Sequence, residues 1–494
     1  MKPIHIISAA LLLTGAFGCK KYLYNDPVGR LTPEQVDLEP KYGTVSSSVQ
    51  YSYQLLTYTF NLLGQWDWNG GTVLRNDWIL QDIASGDMQK KWNPDGDQAW
   101  MDDVANFNFS PEGPAFNGQW LYDYEGIART NQAIAYLTDA EIPGKVGLDE
   151  ALRKRWLAEV LYLRAFYYFE LVTNFGDAPL MLKPLKSFQE AYEVAKRSPA
   201  AQVWEQINKD LTEAKGLLPN TKYSDNGEKW RVSKGAVIAM QAKAALYNQK
   251  WADVITLVNE LDGLGFYDLN TNYFDNFSVA KEFADNEVIF AYDHKTGQNP
   301  RNGNSYTAVM GWGFVAPTTD FLNAFEANDP RKLYTINTVD QASYKLLGTL
   351  DLSNKGNEDA PTNRIFIRWA DVLLWKAEAL NESNQPGAAI AIVNEIRQRA
   401  RTTPTANGVA VPAGTLPDRD IAVTDKALIN TWIRQERRVE LGWESHRFND
   451  LKRWKIAKQV LTAMGKNFQD KHYLYPIPQG EVDKSGGTIT QNDY

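Results

Sequence analysis

The sequence is poor in the residues that most often carry chemistry. It has one cysteine, Cys19, and four histidines among 494 residues. A single thiol cannot form an internal disulfide, and the three later histidines, His294, His446 and His472, are too far apart for zinc-ligand spacing. The chain has no glycine-rich phosphate loop after a strand, no Gly-x-Ser-x-Gly motif and no cysteine nucleophile in its body. The sequence therefore predicts no metal, no cofactor and no catalytic residue.

Positive charge and long apolar runs are also scarce. The formal net charge is −8 and the sequence pI is near 5.3. A nucleic-acid partner would need a basic face that displaces counterions, so we expect none. After the N-terminus there is no run of about 18 or more apolar residues, and we therefore expect no membrane-spanning helix.

The N-terminus has the pattern of an export signal. Lys2 gives it a positive start, residues 4–13 are largely apolar, and small residues follow. Cleavage before Cys19 would make that thiol the attachment point of a lipid anchor. The sequence thus predicts a lipoprotein signal peptide over residues 1–18 and a polar, lipid-anchored tether over residues 19–40.

Apolar patterns of helical period dominate the rest of the chain. Residues 153–180 carry two apolar stripes, so one helix should pack on two sides, and Gly176 should end it. Helix–turn–helix pairs recur at 233–261 and 367–400 and resemble tetratricopeptide repeats. We predict a mainly α fold: a tetratricopeptide-like helical solenoid with large irregular loops and a small β-hairpin component.

The character of the sequence changes at about residue 265. The segments NEVIFAYDH (286–294) and SYTAVMGWGFVAP (305–317) are strand-like, and Gly, Asn and Pro are dense around them. We therefore divide the body into an N-terminal helical region over residues 41–264 and a C-terminal region over residues 265–494. The second region contains a loop-rich insert and repeat-like helices.

Aromatic side chains in polar, glycine-rich loops are the main binding signal. A tryptophan offers a flat apolar face and an N–H edge, and a sugar ring offers the complementary apolar face and polar rim. The alternative is that each loop ring packs down onto the helices. The loop tryptophans are Trp66 and Trp68 in GQWDWNGG, Trp92 and Trp100 in KKWNPDGDQAW, and Trp312 in MGWGFVAP.

Polar residues beside these rings have two interpretations. Asn93 and Asn304 are candidates to bond sugar hydroxyls. Asn93, Asp95 and Asp97 also alternate as calcium ligands do, but Val104 stands where an EF-hand has its final glutamate. We therefore favour a solvated turn over a calcium site for this segment.

The segment IRQERRVELGWESHRFNDLKRW is dense in charge. Glu436 and Glu440 lie at i,i+4, and Glu444 and Arg447 at i,i+3, as neighbours on one helix would. An acid/base or anion site is one interpretation. Apolar residues surround these charges, so we favour structural salt bridges that hold a helix end.

Several segments together resemble the SusD/RagB family, in the family's order from the signal to the last residue. The resemblance implies a tetratricopeptide-like protein without catalytic activity, in which the charged C-terminal helix is structural. The segments are a lipobox-like start before KKYLYNDP, then LRAFYYFELVTNFGDAPL, PTTDFLNAFEANDPRK, RWADVLLWKAEALNE, ERRVELGWESHRFNDLKRW and YLYPIPQGEV with the ending TQNDY.

The resemblance also implies a location, partners and a site. Family members are outer-membrane lipoproteins at the cell surface that cap a SusC-like TonB-dependent transporter and capture glycans for import. By position, residues 92–100 and 292–312 resemble the family's binding loops, which adds Tyr292 to the candidates. The expected set is Cys19 for lipid attachment and, for the oligosaccharide, Trp66, Trp68, Trp92, Asn93, Trp100, Tyr292, Asn304 and Trp312.

Two alternatives stay open at this point. Some SusD/RagB members take other nutrients such as peptides, and a peptide would occupy the concave groove of the helices. An α-helical glycosidase would need two carboxylates facing each other across a pocket, and the sequence neighbours Asp102 and Asp103 say nothing about that separation.

Overall fold

The computed structural model describes residues 42–64 and 66–494. The predicted signal peptide (1–18), the tether (19–40) and Cys19 lie outside these residues. The described chain is mainly helical, with a few short strands.

The elements follow in chain order. The helices are α1 Gly43–Gln54, α2 Trp100–Asn106, α3 Pro114–Thr138, α4 Ile142–Lys145, α5 Glu150–Phe175, α6 Phe188–Val194, α7 Ala200–Leu217, α8 Lys234–Tyr247, α9 Trp251–Asp262, α10 Tyr306–Gly311, α11 Thr319–Ala324, α12 Arg331–Thr335, α13 Tyr344–Leu347, α14 Trp369–Glu382, α15 Pro386–Thr402, α16 Lys426–Glu440, α17 Arg447–Arg453, α18 Ala457–Ala463 and α19 Gln479–Lys484. The strands are β1 Met88–Lys91, β2 Ala178–Pro179, β3 Arg197–Ser198, β4 Val288–Tyr292, β5 Phe314–Pro317 and β6 Arg364–Arg368. A π-helical turn spans Ile79–Ile83, and short 3₁₀ helices span Tyr273–Asn276, Val279–Lys281 and Asp470–Tyr473.

Helix α5 is the central helix of the N-terminal region. At its start the Asp149 carboxylate accepts the Leu152 backbone N–H at 2.9 Å, which satisfies one of the free donors of the first turn. Gly176, with φ +76°, ends the helix as predicted. Most α5 side chains from Trp156 onward are buried, and the helix packs against both α3 and α7. Its two apolar stripes therefore have the two partners that the sequence predicted.

The predicted helix–turn–helix pairs are present. Helix α8 packs on α9, and α14 packs on α15. Helix α14 also contacts α8 and α9, so the two pairs touch across the expected boundary after residue 264. The mainly α, tetratricopeptide-like fold is confirmed, while the domain boundaries stay a prediction. No helix in the described ranges is both long and apolar enough to span a membrane.

The strands differ from the expected hairpin. Residues 306–311, expected to be extended, form helix α10, and only residues 314–317 of that segment form a strand. Each strand pairs antiparallel with a distant partner: β1 with β5, β2 with β3, and β4 with β6. Long-range pairing of this kind leaves no local turn signal in the sequence, which explains the error.

A buried network of charges joins the C-terminal helices to the insert before them. Glu440 lies at its centre, where its carboxylate contacts the guanidinium groups of Arg331, Arg368 and Arg399. Five buried cations face five buried carboxylates here, and the more exposed pair of Glu326 and Arg419 joins them through Arg397, so the charges balance. The cations are Arg331, Lys345, Arg368, Arg397 and Arg399, and the carboxylates are Glu287, Asp329, Glu436, Glu440 and Glu444.

The network refines the interpretation of the charged segment. Glu436 and Glu440 share one face of α16, and both accept from Arg331, at 2.6 and 2.9 Å. Helix α16 ends at Glu440, so Glu444 and Arg447 do not share a helix as expected. Glu444 instead pairs with Arg368 at 2.8 Å and Lys345 at 2.6 Å. The bridges are structural, but they connect different elements rather than turns of one helix.

These charges set the pKa values of the acids they surround. Burial alone would raise the pKa of Glu440, but Arg399, Arg368 and Arg331 outweigh it and hold the pKa far below its ordinary value. Burial opposes ionisation of Glu444 as well, and Arg368 and Lys345 nevertheless lower its pKa to about 2. Both carboxylates are therefore ionised at neutral pH.

We predict that Glu440→Gln destabilises the protein strongly. The substitution removes one negative charge from among three buried guanidinium groups, and breaking a buried pair in this way costs about 3–5 kcal/mol. Urea unfolding measures the change in free energy. Glu205→Gln, an exposed position on α7, is the matched control and should stay close to the wild type. Equal stability of the two variants would contradict the structural role of the network.

We also predict that the contribution of Glu444 depends on pH. Its folded-state pKa is about 2, below the roughly 4.3 of an unfolded glutamate, so the protein takes up a proton here on unfolding. The stabilisation is complete above about pH 5 and is lost as the pH falls towards 2. The difference in unfolding free energy between wild type and Glu444→Gln should shrink over that window. A difference independent of pH would contradict the prediction.

Candidate binding surface

A two-stranded ribbon brings two of the predicted loops together. Strands β1 and β5 pair antiparallel, with Lys91 opposite Phe314. The ladder continues one step further, because the Trp92 backbone N–H donates to the Gly313 carbonyl at 3.1 Å. The loop that begins at Trp92 and the loop that carries Trp312 therefore leave the same end of the ribbon, although they are far apart in the sequence.

Helix α16 fixes this ribbon at the end opposite Trp92 and Trp312. Arg438 contacts Asp87, the residue before β1, at 2.6 Å and also contacts Asp320, in the helix that follows β5. The Trp443 indole N–H donates to the Asp87 carbonyl at 3.3 Å. The charged helix thus holds the start of one strand and the end of the other, which fixes the ribbon that carries Trp312.

Three tryptophans meet at the tip of the ribbon and are called the tryptophan cluster here: Trp66, Trp68 and Trp312. Trp66 is 55% exposed and Trp312 is 41% exposed. Their ring centroids are 6.0 Å apart with the planes at 71°. Trp68 lies edge-on to both, at 6.0 and 6.5 Å. Two large indole surfaces consequently remain open to solvent.

Two buried phenylalanines form the floor under the cluster. Phe60 stacks on Trp312 at 5.4 Å with the planes 5° apart, and Phe314 stacks on Trp68 at 6.5 Å, also at 5°. Phe60 and Phe314 are 7% and 3% exposed. Offset stacking of this kind holds each indole in place without covering all of its surface. The surface is therefore preformed rather than loose.

Glycines on either side of Trp312 are required by the backbone. Gly313 has φ +82°, a region that other residues rarely adopt. A Cβ on Gly311 would lie 2.4 Å from the Gly356 Cα atom, so the two chain segments touch backbone to backbone. The glycines that the sequence places around Trp312 thus allow this tight approach.

The loop over residues 92–100 lies beside the cluster but offers less open aromatic surface. Trp92 and Trp100 are partly buried, and the Trp100 indole N–H donates to Gln98 at 2.8 Å. Asn93 is exposed.

The acidic residues of this loop are paired with a lysine. Lys91 contacts the carboxylates of Asp95 and Asp97 at 2.7 and 3.1 Å. These acids, the ones that suggested a calcium loop, are thus paired with a lysine, and no cluster of metal-binding side chains is found in the described ranges.

The structure does not bring Asn304 or Tyr292 into the cluster. Asn304 is 4% exposed, and its amide donates to the Thr362 carbonyl and accepts the Tyr306 N–H, each at 3.0 Å. The expectation that Asn304 bonds a ligand hydroxyl is corrected, because its side chain is already used inside the fold. Tyr292 is 8% exposed, donates its hydroxyl to Asn302 at 2.6 Å, and lines a different cleft.

Sequence reasoning missed both floor residues. Phe314 lies in a run recognised as strand-like, but the strand begins only at Phe314 and Trp312 ends the helix before it. The stacking of Phe314 on Trp68 is therefore a tertiary contact. Phe60 likewise meets Trp312 only through the tertiary fold, so neither floor residue has a local signal in the sequence.

Two family models match the chain. The model described as "SusD family" matches residues 341–494, and one described as "Starch-binding associating with outer membrane" matches residues 73–246. The chain belongs to the SusD/RagB family. Among curated SusD/RagB relatives, SusD-like protein P2 of Formosa agariphila is 26% identical, with 100% of this chain and 99% of the relative aligned.

Solved structures of SusD-like proteins share the fold. A laminarin binding SusD-like protein superimposes with a TM-score of 0.71 at 24% identity, covering 92% of this chain and 100% of that one. Surface glycan-binding protein A from Bacteroides thetaiotaomicron in complex with laminarihexaose also gives 0.71, at 22% identity, covering 91% and 99%. At this level of identity the comparison concerns the fold alone.

We predict that Gly311→Ala, next to Trp312, lowers the stability of the folded protein. The added methyl would clash with the Gly356 backbone, and accommodating it lowers the free energy of unfolding by about 1–3 kcal/mol. Gly216→Ala is the control, because it lies in helix α7 with no atom within 4 Å of the new Cβ, and it should be neutral or slightly stabilising. Urea unfolding compares the two. A Gly311→Ala protein as stable as the control would refute the close approach.

Proposed function

We propose that this protein is a non-enzymatic oligosaccharide-binding protein and that the tryptophan cluster is its main sugar contact. The observation that carries the proposal is the exposure of Trp66 and Trp312 on a rigid phenylalanine floor. The two indoles are adjacent and form one apolar patch, and contiguous exposed patches of this kind mark interaction sites. Their flat faces and N–H edges match the apolar faces and polar rims of sugar rings.

Binding in this proposal combines stacking with hydrogen bonds. The two open indoles contact sugar rings, and the exposed Asn93 amide, on the neighbouring loop, bonds hydroxyl groups. Trp68 supports the other two rings, while Trp92 and Trp100 contribute the parts of their rings that the fold leaves accessible. A shallow, preformed surface of this kind gives modest affinity, which suits release to a next carrier.

The location and partner in this proposal follow from the family. The matching description associates its members with the outer membrane. We infer that lipid on Cys19 anchors the protein at the cell surface and that it delivers oligosaccharides to a SusC-like TonB-dependent transporter. The names of similar proteins, which mention laminarin and laminarihexaose, and the starch-binding description support a glycan as the ligand.

The geometry of the buried acids favours binding over hydrolysis. Asp77 and Asp82 border an interior cavity, as the two acids of a glycosidase would border its cleft. The cavity has a volume of only about 70 Å³, enough for a few water molecules and well below the roughly 300 Å³ of a small ligand pocket. Asp77 is also occupied by Arg364 and by the Tyr58 hydroxyl. A sugar does not fit between these acids.

We predict that Trp312→Ala and Trp66→Ala each weaken oligosaccharide binding about tenfold or more, because each removes a central stacking surface. Isothermal titration with laminarin-type and starch-type oligosaccharides measures the affinity. Trp312→Phe keeps a flat ring and should recover part of the loss. Tyr192→Ala, at a ring that is 51% exposed elsewhere on the surface, should bind like the wild type.

Two outcomes would overturn this assignment. If both tryptophan variants bind oligosaccharide with unchanged affinity, the cluster is not the sugar contact. If the protein binds peptides and both substitutions leave that binding unchanged, the assignment is wrong as well. Release of reducing sugar from any of these glycans would show that the protein is an enzyme.

A further inference from the structure

A second cleft shares one chain segment, residues 57–62, with the tryptophan cluster. Its walls are the C-terminal half of α1, the loop after β4 and the side chain of Trp230, and its volume is about 480 Å³. That volume falls within the range of ordinary small-molecule sites. Tyr292, expected from the sequence to contact the ligand, is part of its wall.

The cleft has aromatic surface of its own. Tyr51 is 51% exposed on α1. Trp230 is partly buried and is held by Tyr53, edge-on at 4.9 Å, and by the Arg231 guanidinium, 4.8 Å from the ring centroid. As in the cluster, one ring is open to solvent and another is fixed by buried neighbours.

The charged groups of the cleft are all neutralised by partners. Glu228 pairs with Arg231 at 2.6 Å, Asp293 with Lys295 at 2.9 Å, and Arg301 with Glu358 at 3.0 Å. A charged ligand would have to compete with these pairs. The cleft therefore favours a neutral ligand.

Unused amides supply the hydrogen-bonding capacity of the cleft. The side chains of Gln50, Gln298 and Asn299 line it, and none of them makes a hydrogen bond to another described residue. An amide both donates and accepts, which matches a hydroxyl group. Open aromatic rings, paired charges and free amides together fit a neutral polyhydroxylated chain.

One chain segment borders both the cleft and the cluster. Thr57, Thr59 and Leu62 line the cleft, and Phe60 forms part of the cluster floor. Consecutive Cα atoms are about 3.8 Å apart, so adjacent residues, Thr59 and Phe60, belong to the wall of the cleft and to the floor of the cluster.

We propose that the cleft holds further units of the same oligosaccharide chain that the tryptophan cluster binds. The proposal rests on the proposed function, and it makes the protein selective for chain length. A short oligosaccharide occupies the cluster alone, whereas a longer one continues past the 57–62 segment and stacks on Tyr51.

Titration of chains of different length tests this proposal. The probes are laminaritriose with laminarihexaose, and maltotriose with maltohexaose. Tyr51→Ala and the double variant Gln50→Ala/Tyr51→Ala should weaken binding of the hexasaccharide about three- to tenfold and leave the trisaccharide unchanged. Tyr51 and Gln50 are exposed on a helix where alanine is well tolerated, and Tyr192→Ala, on another surface helix, is the matched control.

The outcomes separate this proposal from the function on which it rests. If Tyr51 variants bind both lengths like the wild type while Trp312→Ala loses both, the cleft proposal fails and the cluster assignment stands. If Tyr51 variants lose trisaccharide and hexasaccharide equally, the cleft is a separate site and the length-selective proposal is wrong. If the wild type binds none of the four probes, both proposals are overturned for these glycans.

Discussion

The buried charge network around Glu440 is the constraint on which the C-terminal half depends. Three guanidinium groups converge on this one carboxylate from α12, α15 and the end of β6. Charges removed from water in this way are tolerated only when each has its partner in place, so the network specifies one arrangement of these elements. Helix α16, which carries Glu440, also carries Arg438, and Arg438 holds both strands of the ribbon at the end away from Trp312.

The charge network and Arg438 determine the position of the binding surface. Because the ribbon is fixed at Asp87 and Asp320, its other end projects Trp312 towards Trp66 and Trp68 at a defined distance. Phe60 and Phe314 then hold the indoles from below. A preformed surface loses little conformational entropy when a ligand binds. Rigid charge pairs therefore support the site from inside the protein, and the open aromatic rings face the solvent.

Much of the fold was predictable from the sequence, and less of the site. The stripes of α5 and the two helix–turn–helix pairs were predictable because helical periodicity is local. The insert was not: β4 and β6, like β1 and β5, pair over long sequence distances. The cluster of Trp66, Trp68 and Trp312 was predicted as a set of loop rings, but its floor, the burial of Asn304 and the cleft at Tyr51 arise from tertiary contacts that no local pattern encodes.

A crystal structure of the protein with a bound oligosaccharide would show which surface holds the sugar. If the tryptophan cluster is the sugar contact, a sugar ring will lie flat against the Trp66 or Trp312 indole, with the Phe60 and Phe314 rings in the same positions beneath. An oligosaccharide bound instead among helices α7, α8 and α9, where Asn208, Gln241 and Asp253 line a groove, with the three indoles uncovered, would contradict the assignment.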